Sequence, residues 1–250
     1  MQFLPDVTAF QLVLIVALAA FSAIAGGVAG YGTGALMPLI LVPMVGAAPV
    51  VPIIAISAMF SNTARVIAFR RAVDWRRAVV ALAVALPACM VGAWLYTLLS
   101  GRGAAIVIGT TLIGTVPLRR VLKRRGHQLG TGGYVLGAAG WGFLMGGTTG
   151  SGVIFLAVLM AAGLEGSAVI ATDATVSVIT GIVKVGVFGV AGVLTSQVIV
   201  IACLIGVVVF PCTFLAKLIV ARLPVHLHTV LLDAVVIIGG LVMIASAFRG

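Results

Sequence analysis

Charge is what this chain has least of. Only 8% of its 250 residues are Asp, Glu, Lys or Arg, while 62% are hydrophobic, and the mean hydropathy is +1.33. A water-facing globular domain carries about a quarter charged residues, so that class is excluded. Cysteine is scarce too: Cys89, Cys203 and Cys212 lie inside apolar runs, with no CxxC and no histidine at ligand spacing. That argues against a thiolate metal centre or redox pair and leaves three small core residues. Patterns of the GxSxG, HExxH and P-loop types are missing, which argues against an intramembrane hydrolase or an ATP-driven pump. His226 and His228 form an HxH, with His127 elsewhere, but no carboxylate or thiolate accompanies them. No metal or cofactor is therefore expected. The N-terminal MQFLPDVTAF has neither a basic stretch nor an evident cleavage site, so the first apolar run is read as a retained helix.

What is present is a series of apolar runs separated by breakers, at 9–29, 35–46, 49–69, 78–99, 103–121, 132–147, 150–162, 166–189, 196–220 and 228–248. At 1.5 Å per residue most are long enough to cross about 30 Å of hydrocarbon. Segments 35–46 and 150–162 are too short and read as half-helices or members of re-entrant hairpins. The fold class is thus all-α, a polytopic membrane bundle in which the lipid bilayer is the solvent.

Each short segment follows a glycine-rich break. Gly26, Gly27, Gly30 and Gly32 fall opposite Gly146, Gly147, Gly150 and Gly152 at an offset of 120 residues, and the order of segments repeats as well. The chain reads as a duplication, with a first repeat over 1–125 and a second over 126–250 forming one transmembrane domain. Five segments per copy is an odd number, so the two copies should enter the membrane from opposite sides. The charges fit that scheme. With both termini outside, Arg65, Arg70, Arg71, Arg76, Arg77, Arg119, Arg120, Lys123, Arg124, Arg125, Lys217 and Arg222 all fall on the cytoplasmic side, twelve of the fifteen basic residues, as the positive-inside rule requires. The basic cluster at 119–125 therefore reads as topology rather than as a nucleic-acid surface.

A break at membrane depth must be buried in protein or border a wet cavity, because lipid cannot satisfy bare amides and carbonyls. Two matched breaks, each opening a half-helix, mark the expected site. If both half-helices start near the midplane, their positive N-terminal ends converge on one space suited to a small anion. Glycines of this kind also serve close helix packing. The candidate substrate-binding residues at the breaks are Gly30, Tyr31, Gly32, Thr33 and Gly34 in the first half and Thr148, Thr149, Gly150, Ser151 and Gly152 in the second. Their hydroxyls can bond an oxyanion without adding negative charge. Polar stripes follow in the next segments: Ser57, Ser61 and Arg65, with Asn62 beside them, and Asp173, Ser177, Thr180 and Lys184, each set on one helical face. Ser57, Asn62 and Ser177 join the substrate candidates; Asp173, Thr180, Lys184 and Arg65 are the coupling or gating candidates. Asp173 lies well inside an apolar segment, where an ionisable group is costly and functional by default. It either carries a proton or coupling cation, sodium included, or is a carboxylate held by neighbouring hydroxyls. Arg65 and Lys184 either snorkel to the headgroups or attract an anion from either side.

Four stretches, GGVAGYGTGALMPL at 26–39, RRAVDWR at 70–76, GFLMGGTTGSG at 142–152 and the AxxATDAT segment ending at Thr175, resemble the TauE/SafE family of sulfite and organosulfonate exporter-like permeases. The first differs in carrying Tyr31 and Thr33 where the family has more glycine. The resemblance implies a multi-pass permease of the bacterial inner membrane for small anions such as sulfite, sulfonates or related sulfur-containing or carboxylate metabolites. The expectation is a secondary transporter rather than an enzyme, working by alternating access around a midplane site, with an anion channel as the second reading and a lipid-modifying enzyme or scaffold as a third. Its partners are a small anion, a coupling cation and the bilayer, with a homodimer as the oligomer considered.

Overall fold

The computed structural model describes residues 9–29, 32–125, 129–220 and 225–249. Among the described residues there are eleven α-helices, one short 3-10 turn and no strand. In order they are α1 (Ala9–Ala29), α2 (Gly32–Leu36), α3 (Pro38–Val45), α4 (Val50–Phe69), α5 (Trp75–Thr97), α6 (Gly101–Arg125), α7 (Thr131–Gly147), α8 (Gly152–Ala161), α9 (Gly166–Val190), α10 (Ser196–Val220) and α11 (Val225–Arg249), with the 3-10 turn at Arg70–Ala72.

Each apolar run becomes helix, because in lipid a continuous i→i−4 ladder is what satisfies every backbone group of an isolated segment. Among the described residues, five helices are long and apolar enough to cross a membrane: α4 with its 3-10 extension, α5, α6, α9 and α10. The run expected over 35–46 starts three residues earlier and splits in two. The cause is Pro38, which has no N–H to give the Gly34 carbonyl. Met37 stays helical (φ −60°, ψ −36°) and bridges the gap, its N–H donating to Thr33 O at 3.0 Å and its carbonyl accepting from Leu41 at 2.9 Å. The second short helix, α8, has ten residues, about 15 Å at helical rise. The break before it is sharp: α7 ends at Gly147, Thr148 is extended (φ −154°, ψ −168°), and Gly150 takes a φ of +78°, which glycine alone adopts without strain.

Packing partners exchange between the halves. Helix α5 lies on α7 as α10 lies on α1, and α4 lies on α10 as α9 lies on α5; α4 meets α9 directly, and α6 meets α11. The helices before residue 126 therefore pack mostly on those after it. Small residues allow the closest approaches: a Cβ on Gly142 would meet Ala85 Cα at 2.6 Å, and one on Gly146 would strike the Cys89 carbonyl. Backbones touching at i, i+4 glycines are the small-xxx-small packing open to membrane helices. The expectation that part of the glycine run serves packing thus holds for Gly146.

The exterior is apolar and the interior polar. Val190, Leu136, Phe248 and Val207 are exposed, while Ser57, Thr148, Thr172, Asp173, Thr180 and Lys184 are buried. This inverts the distribution of a soluble domain and fits a bundle whose outer face meets lipid.

Candidate functional site

A polar cavity of about 100 Å³ lies where the two breaks meet α4, α7 and α9. A water occupies about 30 Å³ of liquid, so the space holds a few waters or one small oxyanion. Thr33 and Gly34 reach it from the first break and Thr148, Thr149, Gly150, Ser151 and Gly152 from the second. Helix α4 supplies Ser61, Asn62 and Arg65; α9 supplies Asp173, Ser177 and Lys184.

The two breaks touch. A Cβ on Gly34 would meet the Gly150 nitrogen at 3.0 Å, and the Thr149 hydroxyl donates to the Gly34 carbonyl. That carbonyl is the one Pro38 leaves without its helical donor, so the two departures from regular helix satisfy each other. Behind the second break, Ser151 precedes α8 without capping it through its side chain. The first N–H groups of a helix have no intrahelical acceptor and carry its positive end, and here they begin at Gly152 on the cavity wall.

Three charges border this space. Lys184 is 4% exposed, and its ammonium donates to Met145 O at 2.6 Å and Thr148 O at 2.9 Å, the carbonyls at the C-terminal end of α7, where a cation is favoured. It does not snorkel. Arg65 Nη1 stands 3.6 Å from Asp173 Oδ2, an ion-pair distance beyond hydrogen-bond range. The pair joins α4 of the first half to α9 of the second. Two basic groups and one carboxyl thus lie on the wall. Among the described residues, Asp173 Oδ1, Thr148 Oγ1 and Trp141 Nε1 are buried polar atoms of lining residues with no hydrogen-bond partner.

Not every expected residue lines the cavity. Ser57 and Thr180 are buried but turn back on their own helices, Ser57 donating to Ile54 O at 3.2 Å and Thr180 to Val176 O at 2.7 Å. Gly32 opens α2. Gly30 and Tyr31 lie outside the described residues. Trp141, Met145 and Met59 line the cavity without having been expected. For Trp141 a signal existed: it precedes Thr148 by seven residues and so shares its face of the α7 axis. Its ring stacks on Phe155 of α8, centroids 4.2 Å apart and 17° from parallel, which fixes where the indole N–H points.

The RRAVDWR connector forms a clasp next to the site. Asp74 caps α5, accepting from the Arg77 N–H at 3.0 Å and from its guanidinium at 2.7 Å. These bonds, the backbone one first, hold the Asp74 carboxyl below the usual carboxylate range against the opposing effect of partial burial. Arg77 also donates to Ala162 O at the end of α8 (2.6 Å), and the Asp74 N–H donates to Thr172 Oγ1 on α9 (3.0 Å). Thr172 adjoins Asp173, so the clasp and the cavity share one turn of α9.

An all-α bundle with an apolar exterior and, among the described residues, five candidate spans defines a multi-pass membrane protein. The family model described as Sulfite exporter TauE/SafE matches residues 14–243. The chain belongs to this family of membrane transporters, as the four sequence stretches implied. No curated protein and no solved structure gives a significant match.

Proposed function

We propose that the chain is a secondary transporter of small sulfur-containing anions, in which residues 1–125 and 126–250 act as inverted halves that open the central cavity alternately to the two faces of the membrane. The observation that carries this reading is the cavity itself. Both breaks, a helix N-terminus, three charges and several hydroxyls converge there from both halves, inside a bundle otherwise packed with apolar side chains. Polar groups at such depth are expensive unless they serve a solute. Two basic groups against one carboxyl on the wall suit an anion. The exchange of packing partners between halves supports the inverted arrangement, as does the odd number of segments per copy. Asp173 is the coupling residue, carrying a proton or a cation. The family resemblance points to the bacterial inner membrane, and the distribution of basic residues favours both termini outside.

Proteoliposomes given radiolabelled sulfite or sulfonate test the proposal. Saturable, protein-dependent uptake that responds to a proton or sodium gradient is expected. Absence of flux across a panel of small oxyanions overturns it, and a gradient-independent, voltage-driven conductance assigns a channel instead.

A further inference from the structure

Helix α5 holds a different short helix at each of its ends. In its first turn, the Arg77 guanidinium donates to the Ala162 carbonyl just past α8 at 2.6 Å, and the Arg77 carbonyl accepts from the Tyr134 hydroxyl of α7 at 2.8 Å. In its last turn, the Tyr96 hydroxyl lies 3.1 Å from the Ala47 carbonyl and 3.0 Å from that of Ala48, in the turn that follows α3. A hydroxyl has one hydrogen, so the two carbonyls share it. From 77 to 96 is 19 residues, about 28 Å of helix, close to the roughly 30 Å of a hydrocarbon core. The two contacts therefore lie at opposite ends of the bundle.

The short helices begin at the cavity and end at these contacts. Helix α8 starts at Gly152, and Thr33 and Gly34 lie at the start of the α2–α3 pair, all on the cavity wall. Helices α7 and α8 fold back as a hairpin, because the Leu129 N–H ahead of α7 donates to Ala161 O at the end of α8 (2.7 Å). Both contacts also reach α9, each beside a different charge of the cavity. Arg77 binds Asp74, whose N–H donates to Thr172, the neighbour of Asp173. The Tyr96 ring lies 6.0 Å from that of Phe188, over which the Lys184 ammonium stands at 5.8 Å.

We propose, resting on the transporter reading above, that Arg77 and Tyr96 are the latches of two gates. Release of Arg77 from Ala162 frees α8 and opens the cavity to the face where α7 starts; release of Tyr96 from Ala47 and Ala48 frees α3 and opens it to the other face. Both latches are made in this structure. They are positioning residues that touch no solute and act through the half-helices they hold. A change at Asp173 reaches the first latch through Thr172, and a change at Lys184 reaches the second through Phe188, so the occupant of the cavity biases which gate opens.

The accessibility of one cavity thiol from each face is the test. Cys89, Cys203 and Cys212 are replaced by alanine, Ser177→Cys places a thiol on the wall, and its labelling by a membrane-impermeant thiosulfonate is timed in right-side-out and inside-out vesicles carrying the full-length protein. Tyr96→Phe keeps the ring and removes the hydroxyl. Arg77→Met removes the guanidinium and keeps the backbone N–H that Asp74 caps. Loss of one hydrogen bond from the closed state should speed labelling by about 2–10-fold, from the face where α3 ends in Tyr96→Phe and from the opposite face in Arg77→Met. Arg77→Lys, which can still donate to the Ala162 carbonyl, should stay close to the unaltered rate. Labelling that quickens equally from both faces marks a general loosening and overturns the inference; so do unchanged rates in both variants, or a thiol that is reached from neither face. If Arg77→Met does not fold, the sidedness of Tyr96→Phe decides. Flux of labelled sulfite in the same vesicles separates the two readings: flux without a one-sided effect removes the latches and leaves the transporter, and no flux with any oxyanion removes both.

Discussion

Gly150→Val set against Gly189→Val separates a glycine required by geometry from one that is not. At Gly150 the backbone φ is +78°, and holding a non-glycine residue there costs roughly 1–3 kcal/mol, toward the upper end for a β-branched side chain. The new Cβ would also stand 2.7 Å from Leu112 Cδ2. Leu112 has no exposed surface, so it cannot swing aside without displacing its neighbours, and overpacking of this kind costs about 1–3 kcal/mol. The sum is about 2–6 kcal/mol, which at about 2–4 °C per kcal/mol for a domain of this size amounts to a loss of about 4–24 °C in Tm. Gly189 lies inside α9 with no positive φ, and its nearest atom is Leu194 Cδ1 at 3.7 Å. Valine there should be neutral or stabilising by a few tenths of a kcal/mol, roughly the difference in helix propensity.

The assay is thermal unfolding of detergent-solubilised protein followed by tryptophan fluorescence. A Gly150→Val, Leu112→Ala pair divides the cost, because it removes the overlap and retains the φ strain; the two changes should therefore be non-additive. If Gly150→Val melts within a degree or two of Gly189→Val, the break before α8 does not have the backbone described above, and the argument for a site at that break fails with it.

Lys184→Met leaves the Met145 and Thr148 carbonyls without their donor. Each bond to a charged group is worth about 1.5–3 kcal/mol, partly offset by relief of a buried charge, so a net loss of about 1–4 kcal/mol and the loss of anion binding are expected from melting curves and calorimetry; an unchanged melt removes the lysine from the closure of α7. Asp173→Asn should abolish uptake driven by a proton or cation gradient while exchange of preloaded anion persists, and unchanged gradient-driven uptake would take Asp173 out of the coupling role. Asp74, whose carboxyl is held below its usual range, contributes stability that is fully present above the ordinary carboxylate range and lost as pH falls through the lowered folded-state value. Melting temperatures on the acid side should therefore fall less steeply in Asp74→Asn than in the unaltered protein, and identical acid limbs would refute the clasp.

The helices were legible because lipid imposes a simple rule on the backbone, and each uninterrupted apolar run obeys it. Faces were legible only in part. On α9, at about 100° per residue, Asp173, Ser177 and Lys184 fall within about 40° of one another, while Thr180 lies some 60° from Ser177 and turns to its own backbone. On α4, Ser57 trails Ser61 by about 40° on the side away from Asn62 and Arg65, and its hydroxyl likewise bonds its own helix. Both residues have a hydroxyl that a carbonyl one turn back can satisfy, so spacing alone could not show whether they serve the cavity. Trp141 resembled core because its indole is almost wholly carbon, with one N–H as the polar handle. The Arg65–Asp173 pair joins positions 108 residues apart, and no local pattern announces a contact between halves.

Pro38 illustrates how little sequence is needed to bring the two halves together. A proline at the first position of α3 deprives one carbonyl, that of Gly34, of its helical donor. A bare carbonyl at this depth is costly, and the donor that relieves it is Thr149 in the opposite break. The same two segments lie so close that Gly34 and Gly150 are in backbone contact, which any side chain at Gly34 would contest. The glycines permit the approach, and the proline makes it favourable. Because Thr148, Asp173 and Lys184 then border the space beside that contact, a displacement of one break alters the surroundings of the charges on the other half. The two breaks therefore meet directly, with no chain of intermediate residues between them.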